Sequence, residues 1–318
     1  MQPLIHRYRE AYAAAGNTRQ FAAFVAQYWA LRAWTFIINR FPISWNLVTA
    51  RMMGRIWWAA SKRHRERALD NLRPSLGGDY SEAELADIAR RSFEHFAQVY
   101  LVELVETTRL INEWTWAKHV TLGDLGPALR ELLRERGAIM VTPHFGNYEL
   151  LGYTIAKLGI PLTAIMRPLD NTLITEYVVD TRERGGLSLV FKKGAAAAAD
   201  DCVARGGTVC FIADQDAGRK GVFADFFGRP ASWYKSIALL AIHRQVPIIA
   251  GYAARERLGF HYRFRVARII RPEEWESQRD PIAWITREYA QAFEDSIRAF
   301  PEQYLWVHRR WKTRPKEE

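Results

Sequence analysis

Cysteine is scarce: Cys202 and Cys210 are the only two in 318 residues. They show neither the spacing of metal ligands nor a disulfide framework, and read as ordinary thiols of a reducing compartment. The signatures of several large enzyme classes are missing too. There is no G-x-S-x-G elbow, no Walker loop, no G-x-G-x-x-G and no H-E-x-x-H. A covalent serine enzyme, a P-loop enzyme and a zincin all lose weight. No internal repeat is present, and the one low-complexity tract, Ala195–Ala199, suits an ordinary helix. No small-residue cleavage site follows the early apolar stretch, so that stretch does not read as a signal peptide.

What is present is apolar and basic. Hydrophobic residues make up 49% of the chain, which argues against disorder. The net charge of +10 suits an anionic partner: nucleic acid, an acidic membrane surface or an acidic carrier protein. The charge does not choose among these, but the aromatic residues favour the membrane. Of twelve tryptophans, Trp29, Trp34, Trp45, Trp57 and Trp58 fall within the first sixty residues. Phe21–Ile38 is apolar apart from Gln27, Arg32 and Thr35, and is borderline in length for a membrane span. Interfacial membranes favour tryptophan, and their anionic lipids favour Lys and Arg. Residues 1–60 are therefore expected to form a helical membrane-associating segment, lying in the interface or spanning once. The stretch "SKRHRERALDNLRP" (61–74) follows as its basic flank, or as a solvated helix face. No helix-turn-helix, finger or RNP pattern supports nucleic acid.

Residues 61–318 read as one domain, with a helical lead-in to about residue 118. Ser81 and Glu84 form a capping box before Leu85, Ile88, Phe93, Phe96 and Tyr100 at helical spacing. From about residue 120, helices and strands alternate. Strands are expected at 138–142, 160–168, 187–191, 207–214, 246–256 and 260–270. Helices are expected at 125–136, 146–158, 172–184, 194–205, 232–244 and 282–300. Repeated β-α-β units imply an α/β fold with a mostly parallel sheet flanked by helices.

The chemistry centres on "VTPHFGNYEL" (141–150). His144 stands where a buried strand ends and a helix begins, the usual place for ligands in α/β proteins. Glu149, in the first helical turn, is expected to reach back to Nδ1 and leave Nε2 free as a base. Helix N–H groups, from Gly146 and Asn147, are expected to face a developing oxyanion. The bland alternative is a glutamate favoured by the helix dipole beside an incidental histidine.

Four blocks occur in order: "HFGNYELLGY" (144–153), "IMRPLDN" (165–171), "FIADQDAGRKGVFADFFGRPAS" (211–232) and "VPII" (246–249). With the basic flank and the ending "QYLWVHRRWKTRP" (303–315), they resemble the lipid A late acyltransferases, the lauroyl and myristoyl transferases of the lysophospholipid acyltransferase superfamily. The likeness covers nearly the whole chain. A branch that acylates phosphatidylinositol mannosides shares the plan, but tends to carry Asp where this chain has Glu149. The resemblance implies a glycerolipid acyltransferase-like fold and an HX4E motif, with His144 as general base and Glu149 as its orienter. It implies one-step transfer of a fatty acyl group from acyl-acyl carrier protein or acyl-CoA to a glycolipid hydroxyl, with no bound cofactor and no metal. The acceptor is expected to be a lipid A precursor of lipopolysaccharide biosynthesis, and the location the cytoplasmic face of the bacterial inner membrane. Arg167 is expected to steady phosphate or the oxyanion. Asp214, Gln215 and Asp216 would grip sugar hydroxyls or position Arg167, and Arg229 would meet an acceptor phosphate. Phe223, Phe226 and Phe227 would line an acyl groove or simply pack the core. The rival acceptors are a phosphatidylinositol mannoside and a lysophospholipid. The rival of another class is a non-enzymatic basic protein that binds membrane or nucleic acid.

Overall fold

A computed structural model describes residues 4–134, 136–191 and 194–315. Four helices open the chain: α1 (Leu4–Ala15), α2 (Thr18–Ile38), α3 (Ile43–Ala60) and α4 (Lys62–Leu76). Then comes α5 (Glu82–Gln98), opened by the Ser81–Glu84 capping box that the sequence predicts. One π-helical turn, Val99–Glu103, separates α5 from α6 (Leu104–Leu110). The expected boundary near residue 60 is bridged by packing. At Gly54 of α3 an added Cβ would lie 2.6 Å from Glu94 Cα, so the two helix backbones touch there.

The α/β part follows as β1 (Val120–Leu122), α7 (Gly126–Leu132), β2 (Ala138–Thr142), α8 (Tyr148–Lys157) and β3 (Leu162–Met166). It continues with α9 (Thr172–Glu183), β4 (Leu187–Phe191), α10 (Ala195–Ala204) and β5 (Thr208–Ile212). A hairpin, β6 (Val222–Phe226) and β7 (Arg229–Trp233), stands apart from the main sheet. Then come α11 (Lys235–Arg244), β8 (Ile248–Arg255), β9 (Tyr262–Ile270), α12 (Pro272–Trp275) and α13 (Pro281–Ala299).

The seven-stranded sheet has the order β1-β9-β8-β2-β5-β3-β4. Only the β8–β9 pair is antiparallel, so the sheet is mostly parallel, as the alternating pattern implies. Strand β2 is buried along all five residues, as a central strand covered on both faces must be. Its side chains alternate between two cores. Ile139 and Val141 pack in the cluster that includes α4, α5, α11 and α13, while Ala138 and Met140 join the one that includes α8. Phe226 and Phe227 are buried in the first core, so of the two roles open to them they take packing.

Candidate active site

Strands β2 and β5 pair in parallel with Thr142 opposite Ile212. Both chains continue past the strand in step, and Ala213 N–H still donates to the Thr142 carbonyl (2.9 Å). Two residues beyond each strand, that register sets His144 opposite Asp214. Asp214 Oδ2 accepts from the His144 backbone N–H (3.0 Å), and Oδ1 accepts from His144 Nδ1 (2.7 Å). Both side chains are buried. Because a carboxylate only accepts, the proton lies on Nδ1 and Nε2 carries the lone pair. Burial alone would push the Asp214 carboxyl up. The His144 imidazole and its two hydrogen bonds, helped by His308, outweigh that and hold the carboxyl below the ordinary carboxylate range.

The carboxylate at Nδ1 of His144 is therefore that of Asp214, not the expected Glu149. Glu149 sits in the first turn of α8, but its carboxylate is gripped by Arg182 of α9, which donates from Nε (3.0 Å) and from NH2. A two-pronged guanidinium is a stronger partner for a carboxylate than a neutral imidazole. The neighbouring strand has meanwhile already supplied a carboxylate to Nδ1.

The expected oxyanion donors are also engaged. Gly146 N–H donates to the Gln303 carbonyl (2.9 Å) and Asn147 N–H to the Ala253 carbonyl (3.0 Å). These bonds stitch the turn after β2 to β8 and to the C-terminal segment. The approach to β8 is close enough to require glycine. Gly146 has φ +57°, and a Cβ there would lie 1.8 Å from the Ala253 oxygen.

Arg167 follows β3 at the same sheet edge as His144 and Asp214, and is exposed. Gln215 is exposed, and its carbonyl accepts from buried Arg310 (3.5 Å). Asp216 Oδ2 accepts from Thr313 (2.8 Å), while Oδ1 is buried without a partner among the described residues. Arg229 is spent on structure. Its NH2 donates to Ser75 Oγ (2.6 Å) and to the Asn71 carbonyl (3.2 Å), and its guanidinium lies 3.6 Å from the Trp311 ring centre. It ties the β6–β7 hairpin to α4.

Several residues at the site carried no role in the sequence reading. The His308 ring lies 4.5 Å from that of His144, and burial pushes its pKa down to about 4, so it is neutral near pH 7. His308 lines an open cleft of about 260 Å³ with Gln215, Asp216, Arg309, Arg310 and Lys312. The donor atoms of His144, Asp214 and His308 come within 4.8 Å of one another, a set able to hold a divalent ion. The Tyr148 ring packs edge-on against His144 (5.1 Å), and its hydroxyl lies 3.3 Å from that of Tyr100.

Beneath the turn lies a buried polar network around Glu103, which is fully buried. Glu103 Oε1 pairs with Arg255 (2.6 Å), and Oε2 accepts from Tyr262 (2.6 Å) and from Asn147 Nδ2 (2.8 Å). Asn147 in turn caps α8 by accepting from Leu150 N–H (2.8 Å). The π-helical turn that ends at Glu103 shifts the helix phase by one residue, and such turns recur at functional sites. The only sequence signal was a carboxylate inside the apolar run "YLVELVE".

The family model for bacterial lipid A biosynthesis acyltransferases matches residues 17–313. A lipid A biosynthesis palmitoleoyltransferase of Escherichia coli (strain K12) is 28% identical over 212 residues, which cover 64% of this chain and 66% of that protein. The chain thus spans slightly under two thirds of that relative's length. A phosphatidylinositol mannoside acyltransferase of Mycolicibacterium smegmatis (strain ATCC 700084 / mc(2)155) is 26% identical over 254 residues, 79% of this chain and 78% of its own. A lipid A biosynthesis lauroyltransferase of the same E. coli strain is 29% identical over 188 residues, 57% and 58% of the two chains. A family match that runs from α2 to the C-terminal segment, through both halves of the His144–Asp214 pair, leaves one conclusion: the chain belongs to the bacterial lipid A biosynthesis acyltransferase family.

Proposed function

We propose that the protein transfers a fatty acyl group from an acyl thioester, on acyl carrier protein or CoA, to a hydroxyl of a glycolipid, a lipid A precursor first. The observation that carries this reading is the buried His144–Asp214 pair, set by the β2–β5 register, in a chain of this family. His144 Nε2 takes the proton of the acceptor hydroxyl as its oxygen attacks the thioester carbonyl. Asp214 holds the tautomer and steadies the imidazolium that forms. As the tetrahedral adduct collapses, the C–S bond breaks and the imidazolium returns the proton to the leaving thiolate. No acyl-enzyme is needed. Burial pushes the Cys210 thiol up to about 12, far from a nucleophilic thiolate.

A membrane setting is supported by the surface. Trp29, Phe36, Phe41, Trp45, Met52 and Ile56 of the α2–α3 region are exposed, a larger apolar face than a water-facing surface needs. Helix α2 is long and apolar enough to span a membrane. It is nonetheless fastened along its length: Asn171 donates to the Phe24 carbonyl (2.9 Å) and Trp34 to the Leu101 carbonyl (2.6 Å). A helix fastened to the domain at two points along its length favours docking in the interface plane at the cytoplasmic face over crossing. A phosphatidylinositol mannoside acceptor is the second reading. The mycobacterial relative aligns over 79% of the chain, against 64% for the palmitoleoyltransferase.

The test is acyl transfer by the purified protein, followed by lipid mass spectrometry with each acceptor. His144→Ala should lower the rate by about 10²–10⁴, and Asp214→Asn should fall close to it. Glu149→Gln should cost less than either, because Glu149 serves Arg182. Near-normal turnover by His144→Ala would refute the mechanism. Equal loss from Glu149→Gln and Asp214→Asn would return the orienting role to Glu149.

A further inference from the structure

The basic stretch of α4 and the C-terminal "HRRWK" lie far apart in sequence but pack side by side, and the second of them lines the cleft. Asn71 Nδ2 donates to the carbonyls of Trp306 (2.7 Å) and His308 (2.8 Å), which lays α4 against the segment that carries His308. Arg67 and Arg63 stand one and two turns before Asn71, on the same helix face. Burial, and then the positive charges of Arg309 and Arg63, push the Arg67 pKa down, as expected when cations crowd. Among the described residues, no carboxylate lies within ion-pair distance of Arg63, Arg67, Arg309 or Lys312. Arg67 is thus flanked by two like charges and has no carboxylate partner among the described residues, a setting that favours an anion with two or more charges.

The shape narrows the anion. The cleft is concave and holds about 260 Å³, with His308 in its lining and the His144 ring 4.5 Å behind. A bilayer surface is flat on this scale and does not fill a concave cleft. A single phosphate ester can, with guanidiniums offering paired donors. Asp216 also lines the cleft, and its Oδ1, buried and without a partner among the described residues, suits a hydroxyl donor and not an anion.

We propose that the cleft lined by Arg309 and Lys312, with Arg67 and Arg63 of α4 next to Arg309, binds a phosphate ester of a substrate beside the His144–Asp214 pair. This rests on the acyl-transfer reading. The phosphate belongs either to the acceptor glycolipid or to the carrier of the thioester.

The experiment uses the full chain in detergent and the double variant Arg63→Gln/Arg309→Gln, both exposed positions. Calorimetry with inorganic pyrophosphate should show binding by the wild type and at least about tenfold weaker binding by the variant. In kinetics the variant should raise KM about tenfold for the phosphate-bearing substrate, with kcat within about twofold. The rise should vanish when that substrate is replaced by its phosphate-free analogue. An acyl-N-acetylcysteamine thioester tests the donor, and a dephosphorylated glycolipid tests the acceptor. Pyrophosphate binding equal in wild type and variant would overturn the proposal. So would a variant that keeps pyrophosphate but loses phosphatidylglycerol vesicles, which would assign these cations to the membrane. Pyrophosphate binding is read without turnover, so a protein that binds it but transfers no acyl group would fail the function and leave the anion site standing.

Discussion

His308 and His95, both in contact with the turn that carries His144, illustrate how burial selects protonation states. His308 is pushed down to about 4 and His95 to about 3, burial being the main cause for each. His95 Nε2 lies 3.1 Å from the Gly146 carbonyl, so the neutral ring donates to the very turn that carries His144. Both folded pKa values lie below the unfolded value of about 6.5. Below that pH the unfolded chain binds protons that the folded chain refuses, so their stabilisation is complete above about 6.5 and is lost as pH falls toward 4. The slope is at most about 1.4 kcal/mol per pH unit for each ring. Thermal unfolding followed between about pH 4 and 7 should show a shallower acid slope for His308→Asn than for the wild type. Identical slopes would mean that His308 titrates freely in the fold.

Three short elements hold the turn after β2, and each is irregular. The turn needs a left-handed glycine where it meets β8, helix α8 needs its Asn147 cap, and that cap leans on a glutamate turned inward by a π-helical turn. Glu103→Gln keeps the size of the side chain but leaves buried Arg255 without its counter-charge. Removing one partner of a buried pair costs about 3–5 kcal/mol. Urea unfolding should show a loss of that size. Among molecules still folded, kcat should fall more than KM rises, because the displaced group is the turn that aims His144 and not a substrate contact. An unchanged urea midpoint would show that Arg255 finds another partner.

Across the whole molecule, the tryptophans of the first sixty residues divide into two groups. Trp29 and Trp45 are exposed. Trp34 donates to the Leu101 carbonyl, and the rings of Trp57 and Trp58 pack 4.3 and 5.3 Å from that of Phe93. Of the five expected to anchor a membrane, three therefore serve the fold. Trp29→Ser/Trp45→Ser should weaken binding to anionic liposomes by about tenfold or more, since a buried aromatic contributes about 1.5–3 kcal/mol, with the unfolding midpoint unchanged. Trp57→Ala should do the reverse. Flotation assays beside thermal melts check both, and equal liposome binding by the double variant would put the docking face elsewhere.

Periodicity and punctuation were enough for the order of elements. The capping box at Ser81, the apolar run before Pro143 and the β-α alternation from residue 120 all rest on interactions within a few residues, which a linear chain displays. The short edge strand β1, the β6–β7 hairpin and the π-helical turn escaped, because each depends on a partner segment and not on its own pattern. The position of His144 was legible for the same local reason, and its partner was not. A glutamate five residues away looks close in sequence, whereas Asp214 is seventy residues off. Only the insertion of β5 between β2 and β3, with Thr142 opposite Ile212, carries Asp214 to Nδ1 and leaves Glu149 to Arg182. Strand order and register are set by long-range packing of two faces at once, and no run of neighbouring residues contains that information.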